Sequence, residues 1–317
     1  MNRVLLLLLV SIAAPAFAQA DYPSHPVRII VPSPPSGGTD IVGRVLAAHF
    51  TRAFGQQFFV ENKPGAGNLI GIEAAARSAP DGYTLLMVAS TLVLNSVLYK
   101  KVPYDPVKDF APVTLAATAP NILIVHPAVP AKTTAEFIAL AKAKPGALSY
   151  GTPGIGTSPH LCMELLKYMA GIDIQHVPYR GTAAAVTDVI SGQIAAAFAT
   201  ALTAKPQVDS GRVRALAVSG PRRVDALPNV PAVGEAVPGY EAMQWYGLLA
   251  PAGVSSPIVE RINGEALIAL RSREMKDRLA ADGAEPLGTT PAEFAAFIRR
   301  ELDKWTKVAA AAGIERQ

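Results

Sequence analysis

The sequence predicts an α/β protein built on largely parallel sheets, and three observations carry that expectation. Short β-branched, apolar runs alternate with amphipathic stretches of helical spacing along most of the chain. Several strand-to-helix junctions are turns of glycine, serine and threonine. Half of the 317 residues are apolar and only 17% are charged, which excludes intrinsic disorder and leaves ample chain for a buried core.

The first twenty residues are set apart as a signal peptide, residues 1–20. Arg3 supplies a positive start, Val4 to Ala14 is apolar, and small residues then offer two cleavage frames, Ala16-Phe17-Ala18 or Ala18-Gln19-Ala20. The apolar run falls short of the roughly 20 residues that span a bilayer. No cysteine follows it to carry a lipid. The mature chain is therefore expected to be exported, cleaved near Ala18 or Ala20, and soluble.

Beyond the signal, Val27 to Val31 reads as a strand, followed by the turn Pro32 to Thr39. A helix comes next, in which Ile41, Val45, Leu46 and Phe50 share a face. Gln57 to Val60 reads as a second strand and Leu69 to Ala76 as a second helix; Asp81-Gly82 then turns the chain into a third strand, Tyr83 to Val88. Thr133 and Glu136 have capping-box spacing before a helix over Phe137 to Ala143, which Gly146 closes. A strand ends at Ser149-Tyr150-Gly151, and Leu161 to Met169 is helical. His176 to Tyr179 is again a strand, Ala183 to Ile190 a helix closed by Gly192, and Ile194 to Phe198 a strand. The C-terminal third reads as mostly helical. There Thr290, Pro291 and Glu293 start a helix with Phe294, Phe297, Ile298, Leu302 and Trp305 on one side. Proline-rich stretches at Val102 to Pro106 and Pro228 to Pro238, near one third and two thirds of the chain, suit a chain that crosses twice between two α/β lobes.

Several chemistries are excluded. The net charge of +4 is thinly spread, with basic residues clustered only in pairs, so no nucleic-acid partner is expected. A single cysteine, Cys162, excludes a disulfide framework, and its apolar neighbours Leu161 and Met163 mark it as a core residue. The five histidines (His25, His49, His126, His160, His176) have no metal-ligand spacing, and neither a phosphate loop nor a dinucleotide fingerprint is present. No cofactor and no metal are expected. Ser158 and His160 are two apart at a helix start, so their side chains diverge, and His160 reads as a pocket-wall residue in preference to a general base.

What remains is a shared turn chemistry. Four turns, Ser33 to Asp40, Ser90-Thr91, Gly154 to Pro159 and Tyr179 to Thr182, combine glycine, serine and threonine with proline at the edge. In open α/β sheets ligands bind beyond the carboxyl ends of strands, where such turns lie. A helix N-terminus there offers unpaired N–H groups and the positive end of the dipole. Together the turns describe a carboxylate site made of neutral donors, with Arg180 the single cation among them and Asp40 read as a helix cap.

At these residues the sequence closely resembles the Bug family, the exported solute receptors of tripartite tricarboxylate transporters. The resemblance runs over essentially the whole mature chain. It is carried by Pro26-Val27-Arg28-Ile29-Ile30-Val31-Pro32 with Pro34 to Asp40, Val60-Glu61-Asn62-Lys63-Pro64-Gly65-Ala66-Gly67, and Pro80-Asp81-Gly82-Tyr83. Tyr104-Asp105-Pro106-Val107-Lys108-Asp109-Phe110, Gly156-Thr157-Ser158 with His160-Leu161, Val177 to Thr182 and Gly247 to Gly253 complete the series. The resemblance implies a two-lobed periplasmic binding protein (type II, Venus-flytrap) with two crossover hinge segments. Lobe 1 is expected over residues 21–121 and 245–317, and lobe 2 over 122–244. It further implies ligand contacts from Pro35, Ser36, Gly37, Gly38, Thr39 and Asp40 in the first loop, then from Ser90 and Thr91. In the other lobe the implied contacts are Gly156, Thr157, Ser158 and His160, with Tyr179, Gly181, Thr182 and Thr200.

Four positions depart from the family's common pattern: Ser33 for an aromatic, Ser36 for glycine, Pro159 for serine, and Ala199-Thr200 where an Asp-Asn pair is frequent. Without that acid, an acid lacking an amino group is the expected ligand, since an unpaired buried ammonium is costly. The expected partners are a small organic carboxylate and the membrane subunits of a tripartite tricarboxylate transporter, or a sensor, with the receptor itself a monomer. The opposing expectation is a secreted hydrolase using Ser158 or Ser90, which requires a base within about 2.6–3.2 Å of the serine.

Overall fold

A computed structural model describes residues 22–35, 37–179, 181–225, 227–280 and 283–316. The predicted signal peptide and the implied site residue Ser36 lie outside the described residues, as does Arg180. The chain opens with β1 (Val27–Val31), α1 (Gly38–Phe54), β2 (Phe58–Asn62), α2 (Leu69–Ala76), β3 (Thr84–Ala89), α3 (Thr91–Leu98) and β4 (Phe110–Val125). The middle comprises α4 (Thr134–Ala143), β5 (Ser149–Thr152), α5 (Ser158–Ala170), β6 (Gln175–Pro178), α6 (Thr182–Ile190), β7 (Ala196–Thr200), α7 (Ala201–Asp209) and β8 (Arg214–Val218). The chain closes with β9 (Met243–Pro251), α8 (Ser256–Arg271), α9 (Arg273–Ala280), β10 (Glu285–Pro286) and α10 (Pro291–Ala311).

The strands form one curled mixed sheet in the order β2-β1-β3-β9-β4-β7-β5-β6, with β8 and β10 paired to β4 off that path. The pairs β2–β1–β3 and β7–β5–β6 are parallel, so each half is a set of right-aligned strands whose carboxyl ends lie together. The halves are joined by β4, a sixteen-residue strand that changes partners part-way. Its residues from Phe110 to Pro120 pair with β9, those from Asn121 to Val125 pair with β7 on one side, and those from Ile122 to Val125 pair with β8 on the other.

Alternation along the strands distributes the core over both faces. In β1 and β3, Ile30, Leu86 and Val88 join one apolar cluster, whereas Ile29, Val31, Leu85 and Met87 join another, as the two-residue side-chain period requires. The first cluster continues through Leu123, Tyr150, Phe198 and Trp245 to Phe294 and Trp305 of α10, so α10 is packed against both halves. The helix starts behave as the capping pattern predicts: Thr133 and Thr290 each accept a hydrogen bond from the N–H three residues on, at 3.2 Å.

Three expectations are corrected. The C-terminal third contains β9, a central strand whose last seven residues are all buried. Its apolar run is as buried on both faces as a parallel strand, so no alternation announces it. The proline stretch at Val102 to Pro106 does not cross between halves; it leads from α3 into β4 on one side, while β4 itself makes the crossing at Pro120-Asn121. The stretch at Pro228 to Pro238 does lie in the return segment between β8 and β9. Finally, the cap of α1 is Gly37, not Asp40. Asp40 is in the first turn and its carboxylate accepts from Arg44 Nε at 2.8 Å and Asn62 Nδ2 at 2.9 Å.

Candidate functional site

Five helices begin where a strand of the parallel halves ends: α1 after β1, α3 after β3, α5 after β5, α6 after β6 and α7 after β7. Their cap residues are Gly37, Ser90, Thr157, Gly181 and Thr200, and none of these uses its side chain to cap its helix. Thr133 and Thr290, at other helices, do, while Asn68 before α2 and Ser255 before α8 do not. Leaving the first N–H groups of a helix without a side-chain acceptor preserves them for an anion, and the dipole adds to the attraction.

The two halves meet at these ends. A cavity of about 170 Å3 is lined by Asn68, Thr91, Asn95 and Leu98 from one half and by Gly156 and Thr157 from the other. Its described lining holds exposed Glu315 at the rim and neither lysine nor arginine. Three larger cavities, about 520 Å3 between α5 and α10, about 580 Å3 beside α9 and about 260 Å3 beside Pro120 and Phe297, include none of the five strand-to-helix turns. Size alone therefore does not mark the site.

Close approach decides two of the glycines. Gly156 has φ +78°, and a Cβ there would sit 2.6 Å from Leu98 Cδ1 of the opposite half. A Cβ on Gly38 would meet the Tyr246 hydroxyl oxygen at 2.3 Å. Both turns are thus pressed against a neighbour that leaves no room for a side chain.

The polar side chains divide into those held open and those already committed. The Ser90 hydroxyl donates to Gln244 Oε1 at 2.8 Å, and Asn68 Nδ2 donates to Thr91 Oγ1 at 3.0 Å. Ser158 Oγ accepts from Asn121 Nδ2 at 2.8 Å. The partners of Ser90 and Ser158 are amides, which cannot take a proton as a general base does. Thr157 Oγ1 donates to Gly154 O at 2.8 Å, tightening its own turn. Thr200 and Thr203 share a hydroxyl contact of 3.2 Å at the start of α7. Ser33 Oγ is buried with no hydrogen-bond partner among the described residues.

Two residues implied as contacts also make bonds within the fold. Tyr179 donates its hydroxyl to Asp188 Oδ2 at 2.7 Å, and burial together with that carboxylate pushes its pKa up to about 12, so its phenol faces α6. His160 is buried at 4% exposure beneath the turn, and its Nδ1 accepts from Gly156 N–H at 3.3 Å. Burial, then the nearby His176 and Lys167, pushes its pKa down to about 3 and keeps it a neutral acceptor. The His160 and His176 rings lie 4.5 Å apart, and His176 Nε2 bonds Thr152 Oγ1 at 2.6 Å. This pair braces the Gly154 to Ser158 turn from behind.

The sequence profile of the tripartite tricarboxylate transporter family receptor matches residues 42–314. The chain belongs to that receptor family. BugT of Bordetella pertussis is 35% identical over 300 residues, covering 94% of this chain and 92% of BugT. Among solved structures, Rpa4515 of R. palustris with adipate has 34% identity and a TM-score of 0.77, covering 93% of this chain and 99% of that one. MatC of Rhodopseudomonas palustris with bound malate has 30% identity and a TM-score of 0.73, covering 90% and 99%. The two-lobed α/β fold described above is that of these solute-binding proteins. As a receptor of this family, the chain holds no group of three or more His, Cys, Asp and Glu that could ligate a metal among its described residues. None of its described helices is long and apolar enough to cross a membrane.

Sequence reasoning missed the receptor's crossover residues. Asn121 and Gln244 come from β4 and β9 and reach Ser158 and Ser90, one in each half. The available signal was an asparagine inside the mostly apolar run Leu115 to Val125, and a glutamine next to the buried Trp245.

Proposed function

We propose that this receptor is exported to the periplasm, captures a small organic carboxylate between its lobes and delivers it to a tripartite tricarboxylate-type transporter. The lobes are residues 21–121 with 245–317, and 122–244. The observation that carries the reading is a cavity between the halves, lined by Asn68, Thr91 and Asn95 on one side and by Gly156 and Thr157 on the other, at the starts of α3 and α5, neither of which has a side-chain cap. Such a site stabilises a carboxylate through N–H groups and hydroxyls, because a charged acceptor roughly doubles the strength of each hydrogen bond. The change of partners along β4 at Pro120-Asn121 supports the placing of a hinge there. The adipate of Rpa4515 and the malate of MatC support a dicarboxylate.

Where relatives frequently carry an acid, Ala199 is fully buried among apolar neighbours and Thr200 stands before α7 with no side-chain cap bond. An ammonium group has no acidic partner there, so acids without an amino group are favoured over aspartate and glutamate. The test is a thermal-shift screen of adipate, malate, glutarate, benzoate, aspartate and glutamate on the mature protein. A ligand at a hundredfold excess over its Kd stabilises the native state by about 2.7 kcal/mol. Stabilisation by glutarate in preference to glutamate is expected; the reverse order refutes the charge argument.

A further inference from the structure

We infer that Asn121 is a positioning residue that fixes the Ser158 hydroxyl as a hydrogen-bond donor to the ligand. This rests on the reading of Ser158 as a ligand contact. The argument begins at Ala242, in the return segment just before β9. Its carbonyl accepts the Cys162 S–H across 3.6 Å, inside the core. With its proton so placed, the Cys162 sulfur is left as an acceptor, and the atom of Asn121 that faces it at 3.4 Å is the amide nitrogen. That contact sets the orientation of the whole amide. The same Nδ2 lies 2.8 Å from Ser158 Oγ, so its second N–H is given to the serine oxygen. Ser158 then has its acceptor side occupied and its own O–H left to donate.

The thiol stays protonated for a physical reason: it is fully buried, and burial pushes its pKa up to about 11. Asn121 is itself 1% exposed and held by its backbone. Its N–H donates to Ser219 Oγ at 2.8 Å, and its carbonyl accepts from Ser219 N–H at 2.8 Å. It sits where β4 passes from one set of partners to the other, opposite Thr200 of β7. The hydroxyl that the ligand meets is thereby set by both segments that join the lobes. A carboxylate can only accept, so a serine locked as donor selects acids over amines and amides with a donor facing it.

The experiment is a double-mutant cycle in ligand affinity, using the tightest binder among adipate, malate, glutarate and benzoate, read by calorimetry. Ser158→Ala is expected to weaken binding about tenfold, the loss of one charge-assisted bond. Asn121→Ala is expected to weaken it by a similar factor, and the double variant no further than either alone. Asn121→Asp keeps the shape, guards against a misfolded alanine variant, and turns the Ser158 proton inward; it should bind more weakly than Ser158→Ala. Melting of the unliganded variants is the structural control: Asn121 and Ser158 touch, so their stability losses couple as well, and the affinity cycle is read on variants that still melt cooperatively.

Multiplying losses in the double variant, or an Asn121→Asp protein that binds like wild type, overturns the positioning role while leaving the site reading intact. If Ser158→Ala binds like wild type, Ser158 is not a ligand contact and the role of Asn121 falls with it. Binding of none of the four acids overturns the functional reading itself.

Discussion

Replacing Gly156 by alanine separates what the turn costs the fold from what it costs closure. The residue has φ +78°, where an L side chain is strained by about 1–2 kcal/mol. That strain belongs to the turn and is present whether the lobes are apart or together, so it lowers stability and cancels from affinity. The new methyl meets a second obstacle, Leu98 Cδ1 at 2.6 Å, against the about 3.5–4.0 Å of a normal carbon contact. Leu98 is in the other half, in α3, and is 6% exposed within the core. It must leave its rotamer by roughly an ångström of methyl movement, which costs about 0.5–1.5 kcal/mol, rising towards 1–3 kcal/mol if its neighbours resist. On the proposed capture between lobes, only the closed arrangement bears this cost. The expected result is a melting temperature a few degrees lower, at about 2–4 °C per kcal/mol for a chain of this size, together with an affinity loss of about tenfold. Leu98→Ala in the Gly156→Ala background should recover affinity without recovering stability. Calorimetry and differential scanning on wild type, Gly156→Ala and the double variant check both. Wild-type affinity in Gly156→Ala would refute the claim that this turn closes against α3.

Two further outcomes follow from the same structure. In the fold His160 is pushed down to about 3, whereas its ordinary value is 6.5, so between those limits the unfolded chain binds about one more proton. Stability therefore falls as pH drops through 6.5 towards 3, by up to about 1.4 kcal/mol per unit from this group, with neighbouring His176, also shifted down by burial, adding to the slope. Urea melts at pH 7, 6 and 5 should show a smaller slope in His160→Gln, and an unchanged slope would contradict the assignment. Thr133→Ala removes the cap on Glu136 N–H and should cost about 1 kcal/mol of stability with no change in affinity, as α4 lies outside the cleft.

The sequence made the repeated βα units legible because each carries its own punctuation. The range Val27 to Val31 is reproduced to the residue, and Leu69 to Ala76 likewise. Each lies between turn residues and has one dominant periodicity. The long strand β4 was not legible. It is buried along nearly its whole length, so alternation is lost, and it carries Pro112 and Pro120, which normally argue against a strand interior. Both positions coincide with places where the ladder is irregular or changes partners. The turns of the site were legible by composition, since glycine at positive φ and hydroxyl caps are local features. Which of their side chains face a ligand was not. Tyr179 and His160 spend their polar atoms on Asp188 and Gly156, and Asn121 arrives from 37 residues before Ser158. Those facts belong to tertiary packing, which spacing along the chain does not encode.

The most direct measurement of the central claim is a calorimetric titration of the mature protein with adipate and with adipamide, its diamide of nearly equal shape. A site of neutral donors at helix N-termini stabilises negative charge and has little for an amide N–H to meet. The account predicts saturable binding of adipate with one site per chain and at least about tenfold weaker binding of adipamide, the loss of one charge-assisted bond at each replaced carboxylate. Equal affinity for the two, or tighter binding of the diamide, would contradict it.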